Sequence, residues 1–167
     1  MSDESLIVVG VDGSEPARVA LDFAVEEAAQ RSARVLVVTA LRPPEYWPLT
    51  SSVAYAPSRD HLERLAEAAE QATRDAAAEA LRSAGAAVPV EVRVVQGNPA
   101  RVLLDQASGA DLLVVGHRGR GAVASACLGS VSLQCVLYAE CPVVVVRHAR
   151  SAARQGRLAT SAASTPA

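Results

Sequence analysis

The sequence predicts an α/β domain built on a five-stranded parallel sheet in the order 3-2-1-4-5, with helices on both faces. Three observations carry that expectation. Four short runs are almost purely apolar and rich in Val, Leu and Ile, as strands buried on both faces require. Stretches with apolar residues at helical spacing separate the strands, giving the order β-α-β-α-β-α-β-α-β of a parallel sheet with crossover helices. A further run alternates: Val88, Val90, Val92 and Val94 are interleaved with Pro89, Glu91, Arg93 and Val95. Half-polar alternation suits an edge strand with one wet face, so this third strand belongs at an edge.

In chain order, the first strand is Leu6 to Val11. Asp12-Gly13-Ser14 follows, with Ser14 placed to cap a helix and Pro16 in its first turn. Ala17, Ala20, Leu21, Ala24, Val25 and Ala28 form that helix's apolar stripe. The second strand is Val35 to Leu41. Pro43 to Pro57 is a proline-bearing connection holding Tyr46, Trp47 and Tyr55, which either cover the sheet edge or serve a functional loop. A long helix from about Ser58 to Ala84 should turn Leu62, Leu65, Ala69, Ala72 and Ala76 inward, with Gly85 closing it. Asp60 with Arg64 and Glu70 with Arg74 are i,i+4 pairs on its surface. After the alternating strand, Asn98-Pro99 opens a third helix. The fourth strand, Leu112 to Val115, runs into a glycine-rich segment. A fourth helix starts at Ser130 and carries Val131, Cys135 and Tyr138, and Val143 to Val146 is the last strand. The result is a Rossmann-like or flavodoxin-like three-layer sandwich over residues 1–149. Arg150 to Ala167 lacks apolar periodicity and is expected to be a disordered tail.

The chain reverses direction between strands 1 and 4, and ligands of open α/β sheets sit at that switch point, beyond the carboxyl ends of the strands. The glycine-rich segment falls there. Gly116, Gly119, Gly129 and Ser130 are spaced G-x2-G-x9-G-S between a buried strand and a helix. Glycines let main chain approach a ligand closely and adopt φ > 0. A helix start offers amides without intrahelical acceptors and the positive end of the dipole, a place for phosphate. Glycine makes up about 7% of residues, so the spacing would arise by accident in roughly one chain in a hundred of this length. It is the location that turns the spacing into a phosphate-site expectation.

Composition narrows the function classes. The chain has 167 residues, half of them hydrophobic, and a net charge of −2. No strong field invites nucleic acid or an anionic membrane. The acidic start, Met1-Ser2-Asp3-Glu4-Ser5, is unlike a secretory n-region, and no apolar run approaches the roughly 20 residues of a membrane helix. Cys127, Cys135 and Cys141 are odd in number and lack C-x-x-C spacing, which suits buried thiols in a reducing cytosol better than disulfides or a zinc site.

With these blocks in order, the chain resembles a universal stress protein over residues 5 to 148. The resemblance rests on Ile7-Val8-Val9-Gly10-Val11-Asp12-Gly13-Ser14, on Val114-Val115-Gly116-His117-Arg118-Gly119-Arg120-Gly121, on Leu128-Gly129-Ser130-Val131-Ser132, and on Cys141-Pro142-Val143-Val144-Val145-Val146-Arg147. The family divides into ATP-binding members and members without the glycine motif, and this chain keeps the motif. The resemblance therefore implies ATP as ligand; Asp12 is a candidate Mg²⁺ contact, and the cysteine usage and acidic start predict a cytoplasmic protein. It implies that Val11 and Ala40 border the adenine and that Asp12 lies near the adenosine. Val115, Gly116, His117, Arg118 and Gly119 would form the ribose and phosphate loop. Gly129, Ser130, Val131 and Ser132 would receive phosphate oxygens. His117 replaces the small hydroxyl residue frequent after the first glycine.

The residues leave some roles open. Asp12 either faces a ribose hydroxyl or adenine amine or serves as a turn residue capping the first helix. Arg118 and Arg120 either pair with phosphates or are solvated loop charges. His117 is a phosphate donor or a surface histidine, and Ser130 and Ser132 double as helix-capping hydroxyls. The uncharged edge at Val143, Val144, Val145 and Val146 predicts a homodimer through the last strand, as the resemblance also implies. The leading function is a cytosolic ATP-binding regulatory module read by a protein partner. The rivals are a slow ATPase or phosphotransferase, disfavoured by the lack of a Walker A lysine and an evident base, and a flavodoxin-like electron carrier supported by fold analogy alone.

Overall fold

A computed structural model describes residues 5–42, 58–119 and 128–147. Tyr46, Trp47, Tyr55, Arg120, Cys127 and the expected tail lie outside the described residues. Within them the order is β1 (Leu6–Val11), α1 (Glu15–Arg31), β2 (Arg34–Leu41), α2 (Arg59–Ala84), β3 (Val90–Gln96), α3 (Pro99–Gln106), β4 (Leu112–Gly116), α4 (Ser130–Tyr138) and β5 (Val143–Val146).

The five strands form one sheet in the order β3-β2-β1-β4-β5, with every pair parallel. The half-polar strand is at the edge, with Glu91 and Arg93 exposed. Side chains alternate between two layers. Ile7, Val9, Val35, Val37 and Val114 pack with α1 and α2. Val8, Leu36, Val38, Leu113 and Val115 pack with α3 and with Cys135 of α4. Burial on both faces is the reason the central strands read as unbroken apolar runs. Gly10 lets α3 close on β1: a Cβ there would stand 2.7 Å from Leu103 Cδ1.

Local chemistry sets the helix starts. Ser14 Oγ accepts from Ala17 N, Ser58 accepts from His61 N, and Asn98 accepts from Ala100 N and Arg101 N. The α1 stripe is the expected one: Ala17, Ala20, Leu21, Ala24, Val25 and Ala28 are its buried residues. Of the surface pairs on α2, Glu70 and Arg74 meet at 2.5 Å.

α2 corrects the expectation for its inner face. Its buried residues are Thr73, Ala77 and Ala80; of the expected inner face Ala76 packs half-buried against the core and Leu62 and Ala69 are half-buried, whereas Leu65 is 39% exposed and Ala72 is also exposed. Thr73 Oγ1 lies 2.8 Å from Thr39 Oγ1 and donates to the Ala69 carbonyl, which fixes α2 against β2. The stretch 59–72 then rises about 21 Å beyond Thr73, while β2 continues only about 7 Å beyond Thr39. The first half of α2 thus overhangs the carboxyl edge of the sheet, and its leucines cannot reach the core. Alanines on several sides of this helix leave no unique small-residue stripe to read. α4 starts at Ser130 as expected and carries Val131, half-buried, Cys135, buried, and Tyr138, exposed.

Candidate functional site

The carboxyl ends of β1, β2 and β4 bring the predicted residues to one edge of the sheet. Val11 and Ala40 are half-buried at the ends of β1 and β2, Val11 on the α1 side and Ala40 on the α3 side. Val115 and Gly116 are buried at the end of β4, and Val115 belongs to the core layer beneath the crevice.

Main-chain bonds tie the glycine-rich segment together. His117 N–H donates to the Val146 carbonyl at 2.8 Å, joining the loop to the end of β5. Gly129 N–H donates to the His117 carbonyl at 2.8 Å, which sets the start of α4 beside the end of β4. Ser132 is buried and its hydroxyl donates to the Gly116 carbonyl at 2.6 Å. That hydroxyl proton is committed to holding α4 against β4, so Ser132 can meet an anion only through its amide.

None of the three motif glycines adopts a positive φ; Gly13, at φ 79°, does so in the turn after β1. Their missing side chains matter for a different reason. A Cβ on Gly116 would stand 2.7 Å from the Pro16 carbonyl carbon and oxygen of α1. On Gly119 it would stand 2.5 Å from Asp12 Oδ2, and on Gly129 3.2 Å from Arg118 Cα and 3.3 Å from the His117 oxygen. The motif is a packing device that brings α1, Asp12 and the start of α4 onto one loop. Asp12 performs the turn role as well: its Oδ1 accepts from Ser14 N–H at 3.0 Å and Ser14 Oγ at 2.6 Å. Its other oxygen lies on the Gly119 side, so this carboxylate links the β1 and β4 loops.

Two features of the assembled crevice fit an anionic ligand. Ser14, Ser58 and Asn98 cap α1, α2 and α3, but α4 has Gly129 at its N-cap (φ −62°, ψ 150°) and no side-chain cap bond. Leu133 N–H is bonded to the Gly129 carbonyl, so the amides of Ser130, Val131 and Ser132 have no acceptor within the helix. Secondly, His117 Nδ1 is buried and has no hydrogen-bond partner among the described residues, a costly arrangement for a polar atom. Ser130 is exposed, and Val131 and Arg118 are half-buried.

Thiol chemistry has little support at the two described cysteines. Burial pushes the Cys135 thiol up to about 11, and burial also raises Cys141, so neither is an activated nucleophile. Among the described residues no group of three His, Cys, Asp or Glu is placed to hold a metal, and no helix is long and apolar enough to cross a membrane.

Sequence reasoning missed the partners that place this site: the Val146 carbonyl, the Pro16 main chain and the double use of Ser14. These are main-chain or turn contacts, most of them between distant segments, and no local pattern signals them.

The fold defines a doubly wound α/β protein whose strand order reverses between β1 and β4. The chain belongs to the universal stress protein family, whose model matches residues 5–147. It is 41% identical over 144 residues to a universal stress protein of Thermus aquaticus encoded in the QAH/OAS sulfhydrylase 3′ region, covering 84% of this chain and 97% of that one. It is 33% identical over 141 residues to universal stress protein Rv2624c of Mycobacterium tuberculosis, covering 84% of this chain and 47% of that one. The chain thus spans about half the length of several curated relatives that it matches. Among solved structures, a universal stress protein in complex with cAMP superposes with a TM-score of 0.62 at 29% identity, covering 89% of this chain and 100% of that chain.

Proposed function

We propose that this protein binds ATP in the β1/β4 crevice and acts as a regulatory module whose nucleotide state a protein partner reads. The observation that carries the reading is the start of α4. Three consecutive amides, from Ser130, Val131 and Ser132, are left without a side-chain cap beside a loop that holds a buried histidine nitrogen without a partner among the described residues. A phosphate chain would supply acceptors for such donors, and the helix dipole favours its charge. The cAMP complex of a related chain supports an adenine nucleotide as the ligand class.

Each element has a part in this reading. Gly116, His117, Arg118, Gly119 and Gly129 shape the phosphate loop. Asp12, fixed by Ser14, faces the nucleoside, and Val11 and Ala40 flank the base. The described residues offer no three-ligand metal set, so any Mg²⁺ would be held by the nucleotide's phosphates together with Asp12. Binding without hydrolysis is enough for the role, because differential affinity for two states shifts their balance. The uncharged β5 edge supports a homodimer through Val143, Val144, Val145 and Val146.

Thermal unfolding with and without ATP tests the reading. At about 100 times its Kd the ligand should add roughly 2.7 kcal/mol of stability. Adenosine, which lacks the phosphate chain, should add much less at the same concentration. Equal shifts from both would remove phosphate recognition from the account.

A further inference from the structure

We infer that Arg147 and Arg150 supply the positive charge that meets the outer phosphates of the nucleotide. The inference rests on the ATP reading above and adds to it residues that lie beyond the last strand. A triphosphate brings several negative charges, and the described crevice does little to offset them. On the two loops that meet there, the ionic side chains Asp12 and Arg118 are opposite in sign. The dipole of α4 amounts to only about half a charge.

The end of β5 sets further arginines beside this loop. Val146 is opposite Gly116 in the β4–β5 register, and its carbonyl accepts from His117 N–H at 2.8 Å. The His117 carbonyl in turn accepts from Gly129 N–H at 2.8 Å. The main chain of His117 thus joins the residue before Arg147 to the residue before Ser130, the first of α4. Arg147 leaves the sheet about one strand spacing, roughly 4.8 Å, from the phosphate loop. It is exposed and makes no ion pair among the described residues, whereas Arg18, Arg31, Arg74, Arg82 and Arg93 each meet a carboxylate. The sequence continues the charge: Arg150, Arg154 and Arg157 follow, and no acidic residue comes after Glu140. Three residues span at most about 11 Å, which keeps Arg150 near the crevice. A guanidinium suits the role because its planar fork can hold two phosphate oxygens at once.

Isothermal titration calorimetry on the full chain tests this with ATP and AMP, at about 0.01 M and about 0.15 M salt. The double variant Arg147→Gln, Arg150→Gln should bind ATP about tenfold or more weakly at the lower salt, with a smaller loss at the higher. AMP, with one phosphate, should lose less than ATP. Arg147→Lys with Arg150→Lys keeps the charge and should restore part of the affinity. Arg31→Gln with Arg82→Gln is the control: it removes the same charge from the last turns of α1 and α2, at the opposite edge of the sheet, and should bind ATP as wild type does. Circular dichroism verifies that each variant is folded. Wild-type affinity and salt dependence in the Arg147→Gln, Arg150→Gln protein would overturn the inference and leave the crevice reading standing. Equal losses for ATP and AMP that salt does not alter would overturn it too, since they would mark damage to the fold and no role for charge. A wild-type protein that does not bind ATP would overturn both.

Discussion

Replacing Ser130 with Asp separates phosphate binding from folding, because the two should respond with opposite signs. Ser130 is the first residue of α4, is exposed, and follows an N-cap glycine that makes no side-chain cap bond. A carboxylate there complements the positive end of the helix and should stabilise the ligand-free protein by about 0.3–1 kcal/mol. For a domain of this size that corresponds to a melting temperature roughly 1–3 °C higher. The same carboxylate would lie within about 4 Å of any phosphate held by the amides of Ser130, Val131 and Ser132. Repulsion at that distance runs from about 1 kcal/mol in water to about 4 kcal/mol at an effective dielectric of 20, a roughly fivefold to nearly thousandfold loss of affinity. If the loss is about a hundredfold, ATP at 100 times the wild-type Kd would add only about 0.4 kcal/mol in place of 2.7. Ser130→Ala keeps the amides and should keep most of the affinity. Isothermal titration calorimetry with thermal unfolding measures both quantities. A Ser130→Asp protein that binds ATP as wild type does would refute placement of phosphate at this helix start.

Two further substitutions test the packing. Gly116→Ala would drive a Cβ into the Pro16 main chain, so α1 must shift; urea unfolding should show a loss of about 1–3 kcal/mol whether or not nucleotide is present. Asp111 accepts from Leu6 N–H at 2.8 Å and Ser5 Oγ at 3.0 Å, and these bonds hold its carboxyl below the usual 3.8. That stability is present above pH 3.8 and is lost as pH falls through the lower folded-state value. Asp111→Asn should therefore be less stable than wild type near neutrality, with the difference shrinking on acidification; a constant difference between pH 7 and pH 2 would show that ionisation of Asp111 does not matter.

Much of the fold was legible because local and global signals agree. The four apolar runs, the half-polar edge run and the caps at Ser14 and Asn98 all appear where the pattern places them, and the sheet order follows from them. α2 was misjudged because its alanines give several equivalent stripes, and its register is fixed by one Thr39–Thr73 bond that no periodicity announces. The site was legible in its residues but not in its physics. The spacing of Gly116, Gly119 and Gly129 suggested main-chain freedom, yet these glycines admit Pro16, Asp12 and the loop's own backbone. Ser132 looked like a phosphate hydroxyl and is instead a strut to Gly116. Such roles depend on which distant segment arrives, which the local pattern does not encode.

Titration of ¹⁵N-labelled protein with ATP, followed by amide NMR, tests phosphate binding at α4 most directly. The largest shifts should fall on the amides of Ser130, Val131 and Ser132, with Gly119 and His117 next, and adenosine should leave the α4 amides nearly unmoved. Saturable shifts clustered elsewhere, with those three amides silent, would contradict it.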